Sequence, residues 1–287
     1  MIRAILVGAA IALVTLVIPP VQWVAVTLRL PARRHIPVLY HRILCALIDV
    51  RVTVLGTRLN ESPLLIVSNH VSLLDIPVIG SVAPVVFVAK QEIAGWPLFG
   101  WLAKLGRSVF VDRNQRCKTR DVNAEIGQRL AESDPVVLFG EGTSSDGNRV
   151  LPFRTALIGA ARNALAASGN VRRVWIQPLS IAYTSLHGFP LGRQHRPIVA
   201  WYGDSALWQH LIGIVSRGAI DVVITWGEPI AFDETSDRKA VARALETSVR
   251  RYTTLALRGA GNQLKTSALD RGLDITPAER FGSGARS

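Results

Sequence analysis

The chain has 287 residues, enough for one large domain or two small ones with a sizeable core. Hydrophobic residues make up 49% of it and its mean hydropathy is +0.27, high for a soluble enzyme, while a formal net charge of +12 makes it strongly basic. Apolar and basic character together favour an anionic membrane surface over nucleic acid, and the sequence carries no Cys/His finger, aromatic RNA-binding signature or basic heptad region.

Two lone cysteines, Cys45 and Cys117, form no CxxC pair and no disulfide framework, so a reducing cytosolic face is the default expectation. The histidines are scattered without HExxH-like spacing, and no metal is expected.

The N-terminus opens with an uncharged stretch from Ala4 to Leu28, long enough to span a bilayer. Pro19-Pro20 interrupts it, so two short helices bent at the prolines are expected rather than one. Arg29, Arg33, Arg34, His35, His41 and Arg42 follow, with Trp23 and Tyr40 nearby, which reads as an anchor facing anionic headgroups. A cleaved signal peptide is the alternative, but no Ala-x-Ala-like site is obvious. Whether the anchor spans the bilayer or lies in its interface is open at this point.

Val52–Gly56 alternates and reads as a first strand, and Leu64–Ser68 as a second. A helix is expected from Ser72 towards Gly80, then a strand over Val85–Ala89 ending at Lys90. The aromatic block from Ile93 to Leu105 suits a core, a membrane-facing surface or an acyl groove. Ser108–Arg113 reads as a short strand, Cys117–Leu130 as a polar helix and Pro135–Phe139 as a fully apolar strand. The loop Gly140-Glu141-Gly142-Thr143-Ser144-Ser145-Asp146-Gly147 follows, its glycines leaving backbone N–H groups open to a ligand unless it is a plain surface turn. Phe153–Ala167 reads as a helix and Val174–Tyr183 as a buried strand whose Pro178 implies a strand end, bulge or edge. Ile198–Tyr202 and Ile220–Trp226 are expected strands, Asp237–Leu257 a helix, and Gly259–Ser287 a disordered tail. Alternating strands and helices imply an α/β fold: a central, mostly parallel sheet covered by helices, preceded by a membrane-associated helical segment. The divisions expected are an anchor over 1–46, a catalytic domain over 47–258 and the tail over 259–287.

The sharpest chemical signal is Ser68-Asn69-His70-Val71-Ser72-Leu73-Leu74-Asp75, where a strand ends and a helical pattern starts. Five residues turn a helix by about 500°, so His70 and Asp75 do not share a helix face. They meet only if His70 lies in the turn before the helix and folds back on its first turn. Asp75 then fixes one ring nitrogen and leaves the other free to take a proton from a hydroxyl. The plainer reading makes Ser72-x-x-Asp75 a capping box and nothing more.

Three segments together resemble the glycerolipid acyltransferase family. Asn69-His70-Val71-Ser72-Leu73-Leu74-Asp75 matches its Asn-His-x-Ser-x-x-Asp motif in full. Gly106 and Val109-Phe110-Val111-Asp112-Arg113 match its Gly…Arg motif with one residue more than usual. Phe139-Gly140-Glu141-Gly142-Thr143-Ser144-Ser145 follows Phe-Pro-Glu-Gly-Thr-Arg-Ser with Gly140 in place of Pro and Ser144 in place of Arg, and Ile176-Gln177-Pro178-Leu179 matches the apolar strand with a proline. The resemblance implies that His70 is the general base, that Asp75 orients it, and that Glu141, Gly142, Thr143 and Ser144 shape the acceptor site with Lys90 and Arg113 as cationic contacts. It further implies an acyl-carrier-protein or coenzyme A thioester as co-substrate, a lysolipid as acceptor, no other cofactor, and a place on the cytoplasmic face of the inner membrane. The Ser144 departure loses the bidentate phosphate grip of an Arg. Gly142-Thr143-Ser144-Ser145-Asp146-Gly147-Asn148-Arg149-Val150-Leu151-Pro152-Phe153, with Trp201-Tyr202-Gly203-Asp204 later, resembles the lyso-ornithine lipid branch, in which Asp146 or Asp204 would help read a cationic amine. The nearest alternative acceptor is 1-acylglycerol 3-phosphate. A degenerate, non-catalytic membrane protein would not need the intact His70/Asp75 pair, and a thioesterase would want a Gly-x-Ser-x-Gly elbow, which is absent.

Overall fold

The computed structural model describes residues 2–111, 119–155, 159, 161, 162, 165, 173–203 and 206–259, with the backbone alone in 119–124. Arg113, Cys117, Asp204 and the expected tail beyond Gly259 lie outside the described residues. The described part of the 153–167 stretch is helical at 155, 159, 161, 162 and 165.

The N-terminal stretch forms one continuous helix, α1 (Ile2–Thr27, 26 residues), with Pro19 and Pro20 inside it. This corrects the expected break. The prolines remove two ladder donors, yet the helix is held on both sides of them by the domain it lies against. Arg3 donates to the carbonyls of Val215 (3.1 Å) and Ile48 (2.8 Å), and Thr15 shares a hydrogen bond with Tyr40. Gln22, buried, donates to Arg33 O and Leu105 O. A 3₁₀ turn over Pro31–Arg34 leads into α2 (Ile36–Ile48). Arg34 and Arg107 both reach the buried carboxylate of Asp134, which pins this turn to the domain.

The remaining elements are β1 (Val50–Leu55), β2 (Leu64–Ser68), α3 (Asp75–Val82), β3 (Val86–Lys90), α4 (Pro97–Leu105), β4 (Val109–Val111), α5 (Thr119–Ala131), β5 (Val136–Phe139), β6 (Val174–Leu186), β7 (Phe189–Pro190), α6 (Leu207–Arg217), β8 (Ile220–Trp226), β9 (Ile230–Phe232) and α7 (Arg238–Leu257). The sheet runs β1-β8-β6-β2-β5-β3-β4, with β7 and β9 also on β6. Pairing is parallel from β6 through β2, β5 and β3 to β4, and between β1 and β8; β6 runs antiparallel to β8, β7 and β9.

The apolar run of β2 explains its place at the centre. Leu64 and Ile66 pack on one face with Cys45, Val78 and Ile79, and Leu65 and Val67 on the other with Leu130, Leu245 and Val249. A strand buried on both faces needs apolar residues at consecutive positions, and this one has them. Because β2, β3 and β5 are parallel, Ser68, Lys90 and Phe139 end at the same edge of the sheet.

Pro178 lies within central β6, not at an edge. It pairs with Val67 of β2. Its carbonyl accepts from Gly227 N, between the end of β8 and the start of β9, so the missing N–H faces a gap between two antiparallel partners. Residues 198–202 are not a strand. Trp201 N–H bonds to Val71 O and the Trp201 carbonyl accepts from Ser144 Oγ, so this segment is spent on the loops at the sheet edge.

Candidate active site

His70 and Asp75 do meet, by the fold-back the spacing required. Helix α3 starts at Asp75 rather than Ser72. The Asp75 side chain turns back over the preceding loop, and its Oδ2 accepts from His70 Nδ1–H (2.7 Å), Val71 N–H (2.7 Å) and Ser72 N–H (3.0 Å). The other oxygen, Oδ1, accepts from the Tyr183 hydroxyl at 2.7 Å. The carboxylate is fully buried, while the His70 side chain keeps 19% of its surface exposed. Four donors and the N-terminus of α3 compensate a charge that would otherwise be costly to bury. Burial and the Asp75 charge raise the Tyr183 phenol well above its ordinary value, so it stays a donor. With Nδ1 committed to Asp75, Nε2 is the nitrogen left for chemistry.

The loop is held from several sides. Asn69 pairs its amide with Ile181, Nδ2–H to O and Oδ1 from N–H, both at 2.9 Å. The His70 ring stacks on Phe139 with centroids 3.9 Å apart. Its backbone N–H donates to Glu141 Oε1 (2.8 Å), and its carbonyl accepts from Ser145 N. Glu141 Oε2 accepts from Leu151 N–H at 2.9 Å. Glu141 thus ties the His70 turn to the loop after β5, and burial pushes its carboxyl up to about 7 against the pull of these two donors.

Gly142 has φ +70°, a left-handed conformation that favours glycine. Thr143 is exposed beside it. The Ser144 hydroxyl donates to the Trp201 carbonyl, so it faces the loop rather than a ligand. Asp146 accepts from Asn148 N and Nδ2. Lys90 lies exposed at the same sheet edge, at the end of β3. The structure therefore brings together His70, Asp75, Glu141, Gly142, Thr143 and Ser144, and places Lys90 at the end of a neighbouring strand of the same edge.

Several residues escaped the sequence reading. Tyr183 comes from β6, and Asn69 answers to Ile181 on that strand. His210, on α6, bonds Ser72 Oγ through Nε2 (3.2 Å) and stacks on Trp201; burial lowers its pKa. The helix bearing it has a readable signal, apolar residues at 208, 211, 212 and 215. Trp201 in turn stands edge-on to Trp96, and Phe99 is tilted against Trp208. An aromatic lane thus runs from the site towards α4 and α6.

A protein-family model described as Acyltransferase matches residues 49–182. The lyso-ornithine lipid O-acyltransferase of Rhizobium meliloti (strain 1021) is 46% identical over 258 residues, covering 90% of this chain and 88% of that one. That of Brucella abortus (strain 2308) is also 46% identical, covering 90% and 96%. The crystal structure of the 1-acyl-sn-glycerophosphate (LPA) acyltransferase PlsC from Thermotoga maritima is similar in fold, with a TM-score of 0.61 at 21% identity, covering 88% of this chain and 95% of that one.

Proposed function

The chain belongs to the acyltransferase family of these relatives, and from that premise we propose that it moves a fatty acyl group from an acyl thioester to the free hydroxyl of lyso-ornithine lipid. The observation that carries the chemistry is the hydrogen bond of His70 Nδ1 to the buried Asp75 carboxylate, which leaves Nε2 free. His70 Nε2 takes the proton of the acceptor hydroxyl as its oxygen attacks the thioester carbonyl. The tetrahedral intermediate collapses and breaks the C–S bond. The departing thiolate takes the proton back from the imidazolium, so the products are an ester and a free thiol. Asp75 holds the tautomer and stabilises the transient positive charge. No acyl-enzyme is needed, and the donor, acyl-carrier protein or coenzyme A, is a co-substrate rather than a bound cofactor.

The 46% identity to two lyso-ornithine lipid enzymes supports this acceptor, as does Ser144 where a phosphate enzyme would carry Arg. We further propose association with an anionic membrane, on the cytoplasmic face of the inner membrane. Helix α1 is long and apolar enough to cross a bilayer, roughly 39 Å at 1.5 Å per residue, and its outward residues Leu6, Leu13, Leu16 and Trp23 are exposed. The net charge of +12 supports the anionic preference.

The test is an acyl-transfer assay on membranes carrying the protein, with lyso-ornithine lipid and lysophosphatidic acid supplied in parallel. Preference for the amino-acid lipid is expected. Acylation of lysophosphatidic acid alone would overturn the acceptor assignment and leave 1-acylglycerol 3-phosphate as the substrate.

A further inference from the structure

The Gly-Thr-Ser sequence leaves its loop without the cation that the family pattern places after Gly-Thr, and Ser144 itself is turned to Trp201 O. The chain brings an arginine back to the same loop by another route. After Gly147 it returns along the 139–142 turn: Leu151 N–H bonds Glu141 Oε2 (2.9 Å), and Arg154 N–H bonds Gly140 O (2.8 Å). Phe153 is buried under Gly140, where a methyl group would fall 2.7–2.9 Å from its ring. The stem of Arg154 then lies across Gly142. A methyl group there would fall 2.9 Å from both Cδ and Nε of Arg154 and 3.6 Å from Cζ. Gly142 is thus required twice, by its positive φ and by the arginine laid over it. Arg154 is exposed, and its guanidinium has no carboxylate partner among the described residues.

An arginine fixed at its backbone, supported along its stem and without a carboxylate at its head among the described residues is a built cation beside the loop that holds His70 through Glu141. We propose that Arg154 binds the free carboxylate of the acceptor's amino-acid headgroup. The proposal rests on the acceptor assigned above. A planar guanidinium presents two parallel N–H donors to a carboxylate, and a lysine cannot reproduce that fork.

The experiment pairs protein and substrate changes. Acyl transfer in vesicles is measured for the wild type, Arg154→Gln, Arg154→Lys and Arg149→Gln, each with lyso-ornithine lipid and with its carboxamide analogue. Arg154→Gln is expected to raise KM for the natural acceptor about tenfold to a hundredfold, more than it lowers kcat. The carboxamide should cost the wild type a similar factor and cost Arg154→Gln less than about threefold. Arg154→Lys should fall between, and Arg149→Gln, an exposed charge in the same loop, should match the wild type. Losses that simply add, no effect of Arg154→Gln, or an equal fall in Arg149→Gln would each overturn the role of Arg154 while leaving the acceptor assignment intact. A wild type that acylates lysophosphatidic acid but not lyso-ornithine lipid would overturn both.

Discussion

Asp75 accepts four hydrogen bonds within the site. Three N–H groups share Oδ2, and the Tyr183 hydroxyl takes Oδ1. In Asp75→Asn only one of the two side-chain positions can accept, and an NH₂ facing His70 would favour the wrong tautomer. A fall in kcat of at least about a hundredfold is expected, with KM little changed. Tyr183→Phe leaves Oδ1 buried without its donor. It should lower stability by about 1–3 kcal/mol and lower kcat less than Asp75→Asn does. Thermal melting beside steady-state kinetics checks both. The His70/Asp75 pair was legible because five residues of local sequence make it. Tyr183 and Ile181 were not, because their contacts close over more than a hundred residues and only the strand order of the sheet brings them there.

At the scale of elements, α3 is docked on α2 through Gly80, where any Cβ would overlap the His41 ring. Gly80→Ala should therefore lower stability by about 1–3 kcal/mol, seen as a lower melting temperature. His41 is half-buried, with its Nδ1 fully shielded, and desolvation lowers its pKa from 6.5 to about 4. The unfolded chain binds that proton between these values and the folded one does not, so this histidine makes stability rise with pH through that window, by at most about 3 kcal/mol. Glu141 acts in the opposite sense. Its carboxyl is raised from 4.5 to about 7, the folded state holds the proton longer, and stability falls as pH rises across that range. Over most of this range the two slopes oppose and nearly cancel, so Glu141→Gln should uncover a rise of stability between pH 4 and 6.5, and adding His41→Asn should remove it; denaturant unfolding at several pH values reads both. The strands that bear the site were legible as short apolar runs. The sequence reading expects no helix at α6 and a strand at 198–202, because an apolar run does not say whether its backbone bonds go to a sheet or, as with Trp201, to a neighbouring loop.

For the whole molecule, the aromatic lane links the exposed apolar groups of α1, α4 and α6 to the His70 turn. Helix α1 lies against the domain from Arg3 to Gln22, and Trp101 of α4 with Trp208 and Ile212 of α6 add exposed apolar groups next to it. Removing Trp101 and Trp208 together (Trp101→Ser with Trp208→Ser) should weaken vesicle partitioning about tenfold or more, while turnover of a water-soluble short-chain acceptor stays within about twofold. Sedimentation with anionic vesicles measures the first and a soluble assay the second. Composition and charge point to membrane association, but the way α1 packs along the domain depends on partners such as Tyr40, Leu105 and Val215 that no local pattern reveals. The most direct measurement is the turnover of purified His70→Ala beside wild type, in vesicles with lyso-ornithine lipid and an acyl-carrier-protein thioester, with melting curves to show that the variant is folded. A folded variant slower by about a hundredfold or more is the expected result. A folded variant within threefold of the wild type would contradict His70 as the base.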